Sequence, residues 1–277
     1  MESEELTVII VTFKSETRVI NCLRSISKNI SVIVVENSND KKFKSRIEEN
    51  FDNVSCILTG ENKGYAAANN IGLKLVKTKY ALVLNPDTIL NSQAIQNFLN
   101  TVNKVQDFWL IGPAVNQMVN LDFKKNNLIE VNNIKGFAIF FNISKFNQNF
   151  FDENFFLYFE EIDLCKRVKN NNGKIYLDNS IIIEHDGANS VHNSNIIELE
   201  KNRNWHWMWS TFYYHKKHKG FFLSLLIIFP KFLSALIKSL FYLLIFNKNK
   251  RDIYFCRLSG IFNSIIGKKS WYRPALD

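Results

Sequence analysis

An α/β fold with a doubly wound, mostly parallel sheet is predicted by two features of the first hundred residues. Short, nearly continuous apolar runs recur there, and stretches of helical character separate them. Uninterrupted apolar runs suit strands buried on both faces of a parallel sheet. The β-α-β-α order then selects the doubly wound arrangement.

The strands expected are residues 6–13 (LTVIIVTF), 31–35 (SVIVV), 54–58 (VSCIL) and 80–84 (YALVL). Helices are expected at 16–28, 42–50, 66–77 and 92–105. From 108 to 189 the pattern is less regular, with strands near 137–142 and 181–184. A short helix is expected over 162–171, ended by Gly173, a residue that suits a helix C-terminus. Ligands of such sheets bind outside the carboxyl ends of the strands. That rule singles out Thr12, Glu36, the 60–64 loop and the 85–87 turn.

Beyond Trp205 an aromatic and basic stretch leads into 221–246, which is almost wholly apolar. As a helix its 26 residues would reach roughly 39 Å, enough to cross a bilayer. Pro230 is expected to interrupt it. Ser224, Lys231 and Lys238, seven apart, form a narrow polar stripe, which points to a helix lying in a membrane surface. The alternatives are packing on the preceding α/β domain or on a second copy of the chain, with a true span the weaker choice. Two domains are therefore expected, 1–219 and 220–277.

The formal charge is +9, and the late lysines and arginines bracket this apolar run. Basic residues flanking an apolar segment favour an anionic membrane surface over nucleic acid. Four scattered cysteines form no CxxC pair, so a reducing cytoplasm is expected. The chain starts acidic and runs straight into a strand, without the pattern of a signal peptide.

An absence narrows the chemistry further. The turn after the first strand, residues 12–16, holds no glycine, so it lacks the fingerprint of a dinucleotide-binding turn. The P-loop pattern is missing as well.

Five segments carry candidate chemistry. Glu36 ends the second strand, where a carboxylate can accept from a nucleobase imide or ribose hydroxyl; a turn rich in Asn, Ser and Asp reads equally well. NKGYAAANN (62–70) places a glycine before small residues at a helix start, which lets a ligand approach the backbone. An Ala-rich packing face is the alternative. Asn85-Pro86-Asp87 follows a strand, and Asp87 offers hard oxygen to a divalent cation, though Asn-Pro also simply turns the chain. FDENFFLYFEEIDLCKR (151–167) sets carboxylates behind an aromatic run, which raises their pKa as a general base requires. Asp163 and Arg167, four apart, can pair on one helical face. The competing reading is an acidic first helical turn. His185, in EHDG after a late strand, could join Asp87 on a metal.

In this order the segments resemble the family 2 glycosyltransferases, particularly their bacterial rhamnosyltransferase-like branch, over about residues 6–219. The resemblance implies a GT-A fold and a donor sugar linked to UDP, dTDP or GDP, with dTDP-rhamnose one candidate. Thr12, Glu36, Asn62, Gly64, Asn69, Asn85, Asp87, Asp163 and Arg167 would bind the nucleotide-sugar. Glu36 stands where the family usually has Asp, and Asn85 replaces the first acid of its DxD. Asp87 and His185 would hold Mg²⁺ or Mn²⁺. Glu161 would be the base, in place of the usual Asp, with Glu160 its rival. The implied acceptor is a lipid-linked saccharide of bacterial surface polysaccharide synthesis (O-antigen, lipopolysaccharide or capsule). The implied location is the cytoplasmic face of the inner membrane. A processive synthase would carry several spans and QxxRW, which Arg203-Asn204-Trp205 does not supply. A catalytically silent glycan-binding scaffold is the reading from a different class.

Overall fold

The computed structural model describes residues 5–113, 127–185 and 196–273. The chain forms two compact units: one of residues 1–153 and 160–188, the other of 154–159 and 189–277.

The first unit is built on an eight-stranded mixed sheet. Its strands are β1 (Leu6–Thr12), β2 (Ser31–Glu36), β3 (Val54–Leu58), β4 (Tyr80–Leu84), β6 (Leu110–Pro113), β7 (Leu128–Glu130), β8 (Ala138–Asn142) and β9 (Ile175–Asp178), in the order β3-β2-β1-β4-β8-β6-β9-β7. The block β3-β2-β1-β4 is parallel throughout, as the continuous apolar runs require. β8 enters antiparallel between β4 and β6. A separate ribbon pairs β5 (Thr88–Leu90) with β10 (Ile183–His185), antiparallel, with Thr88 opposite His185.

Helices α1 (Glu16–Arg24), α2 (Lys41–Asn50), α3 (Tyr65–Leu75), α4 (Ala94–Lys104) and α5 (Glu160–Asn170) complete this unit. Two apolar cores result, one holding Val8, Ile10, Leu82 and Phe140, the other Ile9, Val83, Phe141 and Leu164. Neighbouring residues of one strand thus divide between the two cores, as period-2 side-chain alternation dictates. α3 lies close on β1: a Cβ at Gly72 would stand 2.6 Å from Ile9 Cγ2. Gly64, at φ 83°, supplies the left-handed turn that starts α3.

The second unit is helical: α6 (Ile196–Lys219), α7 (Phe221–Leu244) and α8 (Lys248–Ile265). Gly260 on α8 leaves no room for a Cβ against the Trp205 carbonyl, which lets the two helices close tightly. Behind them the chain is tied back by side chains. His206, fully buried, accepts from the Ser270 hydroxyl at Nδ1 (2.8 Å) and donates from Nε2 to the Tyr272 carbonyl (2.9 Å). Trp209 Nε1 donates to the Lys268 carbonyl at 3.0 Å.

One expectation about α7 needs correction. Pro230 does not interrupt it; the helix runs continuously from Phe221 to Leu244. Of the polar stripe, Lys231 and Lys238 are exposed. Ser224 is buried and donates to the Gly220 carbonyl, while the Lys238 ammonium lies 5.3 Å from the Tyr254 ring on α8. Ile228 and Ala235 of the same helix are buried. Most of what stands outside is apolar: Phe222, Leu226, Phe229, Leu233, Ile237, Leu240 and Leu244 are exposed, together with Lys231, Ser234 and Lys238. Among the described residues α7 alone is long and apolar enough to cross a membrane by length and composition.

Candidate active site

Each predicted site residue of the parallel block falls at the carboxyl edge of the sheet. Thr12 and Glu36 end adjacent strands as register partners. Both are buried. The Glu36 carboxylate turns back on its own loop, accepting from the Ser38 hydroxyl (2.5 Å) and from the Ser38 and Asp40 amides (3.2 and 3.1 Å). Thr12 Oγ1 has no partner.

The 62–64 loop is knitted by Asn37, a residue the sequence reading passed over. Its amide nitrogen donates to Asn62 Oδ1 (3.0 Å) and the Gly64 carbonyl (3.2 Å), and its Oδ1 accepts from the Lys63 amide (2.9 Å). On α3, Asn69 is fully buried; its Nδ2 donates to the Tyr65 carbonyl and its Oδ1 is unpartnered. Asn70, one position on, latches Phe151 through both its amide atoms (2.9 Å each).

The segment Lys135-Gly136-Phe137, which sequence reasoning did not single out, joins the remaining parts. The Phe137 ring stacks on His185, centroids 4.8 Å apart, and its carbonyl accepts from the Asn85 amide at 2.8 Å. His185 Nε2 lies 3.4 Å from Asp87 Oδ1, an ionic contact without hydrogen-bond geometry, so that oxygen still lacks a bonded partner. Next along, the Gly136 carbonyl accepts from the Tyr65 hydroxyl at 2.7 Å. A Cβ built on Gly136 would lie 3.5–3.6 Å from three carbons of Glu161. One short stretch of chain therefore touches Asp87's partner His185 on one side and Glu161 on the other. Tyr65 senses all the acids: burial first, then the charges of Glu160, Glu161 and Asp87 push its hydroxyl well above the usual tyrosine range.

Burial raises both carboxyls at the start of α5, and their mutual repulsion adds to the rise at Glu160. They differ in exposure. Glu160 is buried, with Oε2 unpartnered, whereas Glu161 is half-buried against Gly136 and feels the lowering charge of Lys135. Glu161 is the more exposed of the two acids.

Asp163 and Arg167 do pair, Nε to Oδ2 at 2.8 Å. The remaining guanidinium nitrogens donate to the carbonyls of Asn149 (3.2 Å) and Phe150. These bonds bind the chain at 149–150 to α5. Asp186 and Gly187 of the EHDG segment lie outside the described residues.

Divalent-metal chemistry fits what is present. Asn85 Oδ1 and Asp87 Oδ1 are buried oxygens without a hydrogen bond, beside the His185 ring nitrogen. Hard oxygens suit Mg²⁺ or Mn²⁺, which commonly take one or two protein carboxylates and complete their shell with substrate phosphates and water. Among the described residues no group of three or more His, Cys, Asp or Glu forms a ready-made cage.

A sheet of this topology with acids at its carboxyl edge defines a GT-A glycosyltransferase fold. Two solved structures share it at 10% identity. A mannosyltransferase from Pyrobaculum calidifontis, solved with GDP-Man and Mn²⁺, covers 96% of this chain and 88% of its own, with a TM-score of 0.59. GalNAc-T7, solved with UDP, GalNAc and Mn²⁺, covers 73% of this chain and 51% of its own, at 0.56. The sequence profile of glycosyl transferase family 2 matches residues 7–165, and the chain belongs to that family. Two curated relatives are similar in sequence. The low-salt glycan biosynthesis hexosyltransferase Agl10 of Haloferax volcanii is 28% identical over 196 residues, 61% of this chain. The teichoic acid poly(glycerol phosphate) polymerase of Staphylococcus epidermidis is 32% identical over 117 residues, 39% of this chain. The matches span 63% and 16% of those relatives' own lengths.

Proposed function

We propose that this protein transfers a single sugar, with inversion, from a nucleotide-sugar to a hydroxyl of a lipid-linked glycan. The observation that carries the reading is the run of contacts from Asp87 and His185 through Phe137 and Gly136 to Glu161.

In this reading Thr12 and Glu36 border the nucleoside, and Asn62, Gly64 and Asn69 line the donor from α3. Glu161 takes the proton from the acceptor hydroxyl as that oxygen bonds to the anomeric carbon. The bond from that carbon to the diphosphate breaks on the opposite side, and the configuration inverts. Glu160, more deeply buried, keeps its proton and leaves the base role to its neighbour. Asp163 and Arg167 support this turn by holding α5 to the chain at 149–150. Asp87 and His185, with Asn85 beside them, would hold Mg²⁺ or Mn²⁺, which when bound neutralises charge on the departing nucleoside diphosphate.

The donor class is UDP-, dTDP- or GDP-linked, with dTDP-rhamnose a specific candidate. The acceptor belongs to bacterial surface polysaccharide synthesis (O-antigen, lipopolysaccharide or capsule), a choice in keeping with the glycan and teichoic acid pathways in the relatives' names. Residues 220–277 attach the enzyme to the cytoplasmic face of the inner membrane. Support comes from the exposed apolar face of α7 and the flanking Lys216, Lys217, Lys219, Lys248 and Lys250. Transfer of labelled sugar from a panel of nucleotide-sugars to lipid-linked intermediates, with Mn²⁺ present, tests the reading. Folded protein that neither transfers nor hydrolyses any donor would instead be a silent scaffold.

A further inference from the structure

Arg18 has no role in the site so far, yet its chemistry is unfinished. α1 begins four residues after β1 ends, so its first turn stands at the same carboxyl edge as Thr12 and the 85–87 turn. Arg18 lies in that turn, one helical turn before Cys22 and on the same face. The direction of that face is fixed by Cys22: its thiol is buried, 3.9 Å from the Asn85 carbonyl and 3.7 Å from Thr88 Oγ1. Helical side chains lean toward the helix N-terminus. A long side chain at 18 is therefore directed past the start of α1, to the edge where Asn85 and Asp87 sit.

Arg18 Nη2 is buried and has no hydrogen-bond partner. A guanidinium stays charged at any ordinary pH, and a buried charged donor left unbonded is costly. The acid closest along its own helix is already engaged: Glu16 holds Arg46 through both oxygens, at 2.8 and 2.7 Å. On the same edge Asn85 Oδ1 and Asp87 Oδ1 also lack bonds, so the cationic donor and these acceptors do not satisfy one another. A ligand that brings its own anionic oxygens would complete Arg18, and the cation it carries would complete Asp87.

We propose that Arg18 binds the diphosphate of the donor, as a positively charged arm supplied from α1. This rests on the nucleotide-sugar reading above and adds to it a phosphate-binding residue. The guanidinium fork matches phosphate oxygens in geometry, and such charge-assisted bonds are among the stronger ones.

The test compares binding of UDP, dTDP and GDP with binding of uridine, thymidine and guanosine, by calorimetry on the full chain with Mn²⁺. Arg18→Met keeps the stem and removes the charge. It is expected to weaken the preferred nucleoside diphosphate at least tenfold and to leave the matching nucleoside within twofold. Arg18→Lys keeps a charge but loses the fork; it should fall between, and it carries the test should the Met variant fail to fold. A variant that binds the diphosphate as wild type does overturns the proposal, and so does an equal loss for nucleoside and diphosphate. Wild-type protein that binds none of the three diphosphates overturns the donor reading, and this proposal with it.

Discussion

The two units of this molecule differ in where their unbonded polar atoms gather and in how much apolar surface they expose. In the sheet unit the unpartnered buried polar atoms belong to Thr12, Arg18, Asn69, Asn85, Asp87 and Glu160, each at a strand end or in the first two turns of a helix that follows a strand or loop. In the helical unit His206 is satisfied at both nitrogens, Asn202, His215 and Arg257 each leave one buried atom unbonded, and large apolar side chains stand in solvent: Phe222 at 82%, Leu226 at 72% and Phe246 at 94% exposure. Buried polar groups are normally bonded, and large exposed apolar patches mark interaction surfaces. In the function proposed above, a nucleotide-sugar would occupy the sheet edge and a lipid surface would cover α7.

The largest effect expected from breaking this pattern is at the two acids. Glu161→Gln should lower transfer by about two to four orders of magnitude, with diphosphate binding retained. Glu160→Gln, close in shape to a carboxyl that burial pushes well above the usual carboxylate range, should stay within a few-fold of wild type. Turnover of the two variants side by side decides between them. An equal collapse in both would return the base assignment to an open choice. The acid limb of the wild-type rate profile should lie above the ordinary carboxylate range, with activity falling as pH drops and Glu161 gains its proton.

The same contrast predicts opposite pH effects on stability. Glu160 and Glu161 are raised in the fold, so the advantage of their protonated forms is complete below the usual carboxylate pKa and is lost as pH rises through the folded values. Glu160→Gln should therefore melt higher than wild type on the alkaline side and converge with it in acid. His206 works the other way. Burial drives it from 6.5 down to about 3, so its contribution is present above 6.5 and fades as pH falls toward 3. The slope is at most about 1.4 kcal/mol per pH unit. Melting curves between pH 4 and 7 should be flatter for His206→Gln than for wild type. Identical slopes would mean that burial does not hold this histidine neutral.

The sequence revealed some parts of this arrangement and hid others, for physical reasons. β1 and β4 are legible because strands buried on both faces are apolar at nearly every position, and β2 and β3 keep most of such a run despite exposed Ser31 and Ser55. β5, β7 and β10 are three residues long, and β6 contains Gly112 and Pro113, so they offer no run or period to detect. Asp87, Glu161 and His185 declared themselves as charges at strand ends or behind an aromatic run. Gly136 could not, because a glycine's use is the space beside it, which only the fold defines. Arg18 looks like any helix-surface arginine until Nη2 is found buried. The polar stripe of α7 was visible as a spacing of seven, but spacing does not say what each member meets: Ser224 bonds the Gly220 carbonyl, Lys238 reaches Tyr254 on α8, and Lys231 is exposed.

The smallest expected effect on chemistry tests the other side of the comparison. Leu226→Glu and Phe229→Glu place charges on the exposed face of α7, far from any polar partner. Neither side chain is buried in the helical unit, so melting temperature and donor hydrolysis in solution should stay near wild type. Flotation with vesicles of anionic phospholipid should change most. Wild type should rise with the vesicles through its apolar face and flanking lysines, and the double variant should remain at the bottom of the gradient. High salt should weaken wild-type flotation only in part, since the lysines are screened but the apolar contact is not. If the double variant floats as well as wild type, the apolar face serves something other than lipid. A change in sedimentation from dimer to monomer in the same variant would then identify a second copy of the chain as its cover.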